Sequence, residues 1–237
     1  MPRLSRLLAV AAVITVVTVV AYVAWALAAP ADVHPVAYVE SAVAPSAQGS
    51  VPAETRLRHG RVAAPSGSSA VSVANPDPAW VARTAAAAGI PVPAMRAYAR
   101  AQLARPDGCA IGWTTLAGVG WVESQHGTLD GRTLAEDGHS SSPIVGPALG
   151  ALDHAYGPMQ FIPDTWSRWA SDGDGDGMAD IDDIDDAAMT AMRYLCGTGY
   201  DLGSGSGWSQ AIFAYNHSQA YVDQVYAAAQ EYAQRTA

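Results

Sequence analysis

Glu123 is a carboxylate on the apolar side of a segment with helical periodicity, where it could act as an acid. Leu116, Val119 and Glu123 follow one another at spacings of three and four residues, which places them on one helical face. A carboxyl group that loses hydration among such side chains disfavours its charged form, so we expect its pKa to rise from about 4.3 toward neutrality. It could then donate a proton at neutral pH. The alternative is a buried ion pair, with Arg193 as a possible partner.

Alternating Asp and Gly residues at positions 172–177 match the start of an EF-hand-type calcium loop. The candidate ligands at loop positions one, three, five, seven and nine are Asp172, Asp174, Asp176, the Met178 carbonyl and Asp180. Asp183 at position twelve and Asp186 at position fifteen are alternative closing ligands. The sequence therefore predicts a structural Ca2+ ion. The alternative is an acidic turn that only caps the following helix, because carboxylates are favourable at helix N-termini.

Segments with helical spacing must position these groups, whereas strand patterns are scarce. The predicted helices span residues 80–88, 93–104, 111–126, 186–195, 209–215 and 218–233. Ser218 is the predicted N-cap of the last helix, whose expected buried residues are Tyr221, Val222, Val225, Tyr226 and Ala229. Residues 127–156 form a long loop rich in Gly, Ser and Pro that could border a cleft. The expected fold is mainly α-helical.

The first thirty residues predict export. An uncharged run at residues 7–29 follows Arg3 and Arg6, and as a helix it could span a hydrocarbon core of about 30 Å. No further basic residue occurs before Arg56, so the N-terminus should be cytoplasmic and the rest extracytoplasmic. We expect a retained single-pass membrane anchor. The small residues at 26–28 offer the alternative, a cleaved leader with secretion to the cell wall.

The chain divides into three predicted parts. These are a membrane anchor or signal peptide at residues 1–29, an Ala/Pro/Ser-rich linker without regular structure at 30–76, and one domain at 77–237. The net charge of -9 provides no concentrated basic face, which argues against nucleic acid as a partner. In an exported protein, the only two cysteines, Cys109 and Cys196, should form a disulfide rather than remain two buried thiols.

Three short motifs occur in order along the predicted domain. They are Glu123-Ser124, Gly157-Pro158-Met159-Gln160-Phe161 and Ala214-Tyr215-Asn216. With the acidic loop placed shortly after the second motif, this arrangement resembles the lytic transglycosylases, and within them the B-type murein transglycosylases. The resemblance covers roughly residues 77–237. It implies a lysozyme-like domain of the SLT type that acts on peptidoglycan glycan strands. We expect the protein to be a monomer.

The resemblance also implies a reaction with one carboxylate. Glu123 would protonate the oxygen between N-acetylmuramic acid and N-acetylglucosamine, then accept the muramoyl C6 hydroxyl proton as a 1,6-anhydro sugar forms. Hydrolysis normally uses a second carboxylate. Other acids lie in or near the predicted loop, but none shares a buried helical face with Glu123. These loop acids are Asp130, Glu136, Asp137 and Asp153. Two alternatives stay open: a lysozyme-like hydrolase that uses a loop acid, and an inactive calcium-stabilised module that binds the wall.

The remaining motif residues are candidates for the substrate site. The resemblance implies that Gln160 and Asn216 hydrogen-bond the sugar, and that Ser124 and Tyr215 orient Glu123. Met159 and Phe161 would line sugar subsites, although both fit a packed core equally well. The resemblance gives the neighbouring His126 and His217 no role in proton transfer.

Overall fold

The computed structural model describes residues 60–63, 74–149 and 153–237. The anchor predicted at residues 1–29 and most of the predicted linker lie outside these ranges. Within them, no helix combines the length and the apolar character that a membrane crossing requires. The described part of the predicted domain is mainly helical, as expected.

Seven α-helices occur in the described ranges. They are α1 (Pro78–Ala88), α2 (Val92–Leu103), α3 (Trp113–Ser124), α4 (Pro163–Trp169), α5 (Ile184–Gly197), α6 (Gly205–Asn216) and α7 (Gln219–Arg235). Six of them correspond to the six predicted helices, and their ends differ from the prediction by up to four residues. Helix α4 was not predicted, because its seven residues are too few to display a period. Pro163 in its first turn is the local signal for its start.

Four short strands form two antiparallel pairs. They are β1 (Arg61–Ala63), β2 (Val145–Leu149), β3 (Asp153–Tyr156) and β4 (Met178–Asp180). Strand β1 pairs with β4, so the predicted linker contributes one strand beside the acidic loop. Strands β2 and β3 form a hairpin within the segment predicted to be a loop, and the register shifts between Val145 and Ala148.

Helix α3 lies at the centre of the domain, where small residues let neighbouring helices approach it. A Cβ atom at Gly118 would lie 2.7 Å from the Val225 carbonyl oxygen on α7. A Cβ atom at Gly120 would overlap the hydroxyl group of Tyr98 on α2. Leu116 and Val119 on the same helix are fully buried. The close approach of α7 and α2 thus fixes the position of the helix that carries Glu123.

The last helix begins as predicted, but one residue of its predicted buried face is exposed. The Ser218 side chain accepts a hydrogen bond from the Tyr221 N–H and caps α7. The buried residues of α7 are Tyr221, Val222, Val225, Ala228 and Tyr232. The prediction for Tyr226 was wrong, since the residue is 52% exposed and packs its ring edge-on against Trp208. The buried stripe advances by three, three and four residues from Val222, which turns Tyr226 away from α3.

A disulfide joins Cys109 to Cys196, as predicted. It connects the segment before α3 to the last turn of α5 and closes a loop with a sequence separation of 87 residues. The bond therefore ties the helix that carries Glu123 to the helix that follows the acidic loop.

Candidate active site

The Glu123 carboxyl group occupies a poorly hydrated position in the last turn of α3. The residue retains intermediate solvent accessibility, yet burial of the carboxyl group raises its pKa from 4.5 to about 8. The rise agrees with the direction expected from the sequence. Glu123 is therefore a protonated acid at neutral pH.

Glu123 accepts a hydrogen bond from a tyrosine and does not pair with an arginine. The Tyr221 hydroxyl donates to Glu123 Oε1 over 2.6 Å, which favours the carboxylate and partly offsets the effect of burial. The suggested ion pair with Arg193 is wrong, because that guanidinium donates to the Ser171 hydroxyl at 2.6 Å. Since no ion pair of Glu123 occurs among the described residues, burial decides the protonation state.

Sequence reasoning missed Tyr221 as a residue of the site. It assigned this tyrosine to the apolar stripe of α7, and the ring is indeed buried. The signal that could have found it is the hydroxyl group, because a buried tyrosine normally forms a hydrogen bond through this group. The Tyr221 ring is also parallel to the Tyr215 ring, with a centroid separation of 6.2 Å.

Tyr215 connects the third motif to the second. Its hydroxyl donates to the Met159 carbonyl oxygen over 2.9 Å, and its ring packs edge-on against Phe161. Through Tyr221, the same aromatic group continues to the carboxyl of Glu123. The residues from α6, α7 and the 157–161 segment thus form one cluster around the acid.

Ser124 connects the first motif to the second. Its hydroxyl is buried, donates to the Pro158 carbonyl over 2.6 Å, and accepts a hydrogen bond from the Gly127 N–H. The side chain is therefore enclosed by protein, as are those of Met159 and Phe161. In this structure these three side chains are packed in the protein interior, and direct contact with a ligand stays a prediction.

Gln160, in the second motif, has a strained backbone conformation. Its φ of 49° falls in the left-handed region that non-glycine residues rarely adopt. The side-chain amide is half-buried and donates to the Gly157 carbonyl oxygen over 2.9 Å. This bond holds the amide over its own turn.

Asn216 ends α6 with a side-chain oxygen that has no hydrogen-bond partner among the described residues. Its Oδ1 atom is buried and accepts no hydrogen bond within the described part of the chain. A buried acceptor without a donor carries a desolvation cost, which a ligand hydroxyl or amide can relieve. Asn216 is therefore suited to accept a hydrogen bond from a ligand.

His126 is a buried structural residue just beyond α3. Its ring nitrogens contact the hydroxyl groups of Tyr98 at 2.9 Å and Tyr232 at 2.8 Å. Burial lowers its pKa to about 3, so the imidazole is neutral. Its backbone is left-handed, with a φ of 61°. These contacts hold the chain in its turn after Glu123 and leave no free nitrogen for proton transfer.

The acidic loop brings three carboxylates together. One oxygen from each of Asp172, Asp174 and Asp186 lies within 4.8 Å of the others. Asp186 is buried, and its two oxygens accept hydrogen bonds from the backbone N–H groups of Gly173 and Asp180, both at 2.7 Å. Burial and neighbouring acids raise its pKa to about 8. No cationic side chain neutralises these three acids in the described ranges, so the group could hold a cation.

The other predicted ligands serve different contacts in this structure. Asp176 accepts the Met178 N–H, and Asp180 forms an ion pair with Arg61 at 2.6 Å. Asp183 caps α5 by accepting the Asp185 N–H at 2.8 Å. Of the two closing ligands considered, only Asp186 joins the three-carboxylate group, because the capping role directs Asp183 to the helix backbone.

Three of the four loop acids have described side chains, and all three are exposed. Their side-chain exposures are 75% for Asp130, 86% for Glu136 and 74% for Asp137. The prediction for Asp153 concerns a side chain outside the described ones. Among the described loop acids, none shares the poorly hydrated environment of Glu123.

One of three comparisons with known proteins found a match. The model of the transglycosylase SLT domain matches residues 134–210. This segment contains Gln160 and the acidic loop, whereas Glu123 and Asn216 lie outside it. No curated protein and no solved structure matches the chain significantly. The chain is similar to the transglycosylase SLT domain over residues 134–210, and its mainly helical architecture fits a lysozyme-like fold.

Proposed function

We propose that this protein is a peptidoglycan lytic transglycosylase that uses Glu123 as its only catalytic carboxylate. The observation that carries the proposal is the carboxyl group of Glu123, with a pKa of about 8 and no cationic partner among the described residues. The proposed bond is the β-1,4 linkage from N-acetylmuramic acid to N-acetylglucosamine. The reaction class is that of a carbon–oxygen lyase.

In the first step, the neutral Glu123 carboxyl donates its proton to the glycosidic oxygen. The bond from this oxygen to C1 of the muramoyl sugar breaks, and the N-acetylglucosamine leaves with a hydroxyl group. A pKa near 8 suits this step, because the acid is still protonated at neutral pH. The Oδ1 atom of Asn216 and the amide of Gln160 would bind the sugars on either side of the reacting bond.

In the second step, the Glu123 carboxylate accepts the proton of the muramoyl C6 hydroxyl. The C6 oxygen bonds to C1, which gives the 1,6-anhydro product and restores the neutral acid. The Tyr221 hydroxyl stabilises the carboxylate between the two steps. No water and no second carboxylate takes part, consistent with the exposure of Asp130, Glu136 and Asp137.

Mass spectrometry of digested peptidoglycan tests this proposal. The wild type should release anhydromuramoyl products, and Glu123→Gln should lose at least a hundredfold in rate while still folding. Glu136→Gln, which changes an exposed loop acid in the same way, should retain activity. Reducing ends without anhydro product would favour a hydrolase. Binding to the wall without any cleavage by the wild type would favour an inactive binding module.

We also propose that a structural Ca2+ ion binds at the acidic loop. Asp172, Asp174 and Asp186 supply hard oxygen ligands within reach of one ion, and among the described residues no cationic side chain pairs with the buried Asp186. The Met178 carbonyl, Asp176, Asp180 and Asp183 stay secondary candidates from the loop sequence. The ion would neutralise the acids and join the loop to α5.

The proposed location is outside the cytoplasmic membrane. The apolar run at residues 7–29 would anchor a monomeric enzyme beside the wall, or direct its secretion if the leader is cleaved. The disulfide is consistent with an oxidising compartment. Comparing the mass of the mature protein with that of the full chain would distinguish a retained anchor from a cleaved leader.

A further inference from the structure

We infer that Gly146 is a positioning residue for the proposed reaction, because it leaves space for the Gln160 amide and forms one wall of its site. The catalytic consequence rests on the proposed function. Gly146 lies in β2, outside the three motifs that defined the site from the sequence.

The hairpin and the second motif form one continuous unit. Tyr156, the last residue of β3, exchanges two backbone hydrogen bonds of 2.9 Å with Phe161. Between these two residues the chain turns through Gly157, whose N–H donates to the Ile144 carbonyl just before β2. The position of the hairpin therefore sets the position of the turn that carries Gln160.

The Gln160 amide is held between two backbone groups. Its Nε2 atom donates to the Gly157 carbonyl, and its Oε1 atom faces Gly146. A Cβ atom at position 146 would come closer to Oε1 than 3.0 Å, a separation that real Cβ atoms essentially never show. The amide can therefore occupy this position only if residue 146 lacks a side chain.

The backbone of Gly146 is itself held in place. Its carbonyl oxygen accepts a hydrogen bond from His154 Nδ1 over 2.6 Å, across the irregular part of the hairpin. A β-bulge of this kind redirects side chains and is typical of strands beside active sites. Here the irregularity presents the bare Cα of Gly146 to the amide.

Gly146→Ala is a selective probe of this contact. The φ of Gly146 lies outside the left-handed region, so alanine can adopt its backbone conformation. After Oε1, the nearest atoms to a new Cβ are the oxygen and Cβ of Ala155, at 3.4 and 3.5 Å. The substitution should therefore move the flexible amide of Gln160 and leave the hairpin folded.

The experiment measures glycan cleavage by the full chain carrying Gly146→Ala, Gln160→Ala or both. We expect each single variant to lose roughly tenfold to a hundredfold in kcat, because misplacing a positioned group by about 1 Å has effects of this size. The double variant should be no slower than Gln160→Ala alone, since both changes remove the same interaction. Gly205→Ala, at a position with no atom within 4 Å, is the matched control and should keep full activity.

Two outcomes would overturn the inference: full activity of Gly146→Ala, or losses that simply add in the double variant. A second readout keeps the test independent of the proposed function. The side-chain amide resonance of Gln160, assigned by its absence in Gln160→Ala, should shift in Gly146→Ala and not in Gly205→Ala. If the wild type cleaves no glycan, the proposed function fails, while an unmoved resonance would separately reject the role of Gly146.

Discussion

Tyr221 donates its hydroxyl hydrogen to Oε1 of Glu123 over 2.6 Å, and this bond joins α7 to the last turn of α3. The bond favours the carboxylate, whereas burial favours the neutral acid and has the larger effect. The pKa of Glu123 therefore reflects two opposing contributions. The tyrosine limits how far burial raises it.

Tyr221→Phe should raise the pKa of Glu123 above its value of about 8, because the variant removes a hydrogen bond to the charged form. The alkaline limit of glycan cleavage should move to higher pH, and kcat should fall about tenfold because the carboxylate loses its donor. A pH profile of cleavage measures both effects. Tyr226→Phe is the control, since its exposed hydroxyl contacts only Gln230 among the described residues. An alkaline limit that moves to lower pH would contradict this account.

Glu123→Gln should stabilise the fold at high pH. Between pH 4.5 and about 8 the folded protein keeps a proton that the unfolded chain releases, so Glu123 weakens folding as pH rises through this window. The free energy of unfolding of the variant should equal that of the wild type near pH 4 and exceed it at pH 9 by about 1 to 3 kcal/mol. This is less than the limit of about 5 kcal/mol that about 1.4 kcal/mol per pKa unit gives for a rise from 4.5 to about 8, because the residue is partly accessible.

Denaturant unfolding at both pH values, with Ca2+ held constant, measures this difference. Glu136→Gln at the exposed loop position provides the baseline and should show no such dependence. Equal stability of the wild type and Glu123→Gln at pH 9 would mean that Glu123 ionises like a solvated acid.

Ca2+ should raise the melting temperature of the wild type, because a ligand bound only by the folded state stabilises it by mass action. Asp186→Asn should abolish most of this rise, since Asp186 belongs to the three-carboxylate group. Asp183→Asn should keep it, because asparagine can also cap α5. Thermal unfolding with added Ca2+ or with chelator distinguishes the two acids. Loss of the response in Asp183→Asn alone would assign the closing ligand to Asp183 instead.

Removing the Cys109–Cys196 bond should destabilise the protein by about 4 to 5 kcal/mol in the chain-entropy model, given the sequence separation of 87 residues. The double replacement of both cysteines by serine should show this loss in denaturant unfolding, without any reductant. Adding reductant should lower the stability of the wild type toward that of the variant. Wild-type unfolding that does not respond to complete reduction would show that the loop closure adds little.

Local patterns were sufficient to predict most helices and the inward direction of Glu123. Helical period and capping act over a few residues, so the segments that became α1, α2, α3 and α7 could be recognised from the sequence. The disulfide followed from the presence of only two cysteines and a predicted export signal. The alternating acids marked the loop because ligand spacing is itself a local property.

The contacts around Glu123 depended on tertiary structure. Tyr221 is 98 residues from Glu123. The periodicity that places Tyr221 on the buried face of α7 does not indicate which residue of α3 it contacts. The same limitation explains why Tyr226 was wrongly predicted to be buried and why the contact of Gly146 with Gln160 was missed. The sequence left Asp183 and Asp186 equivalent, whereas the fold makes one a helix cap and the other a neighbour of Asp172.

By itself, the sequence determined which of the longer segments become helices and which residue types could carry the chemistry, because spacing along the chain settles both. Only the tertiary structure decided which partners those residues meet and how poorly the acid is hydrated. Hydration and hydrogen bonding at Glu123 depend on atoms from α7 and its other spatial neighbours, and their approach is determined by packing over the whole domain.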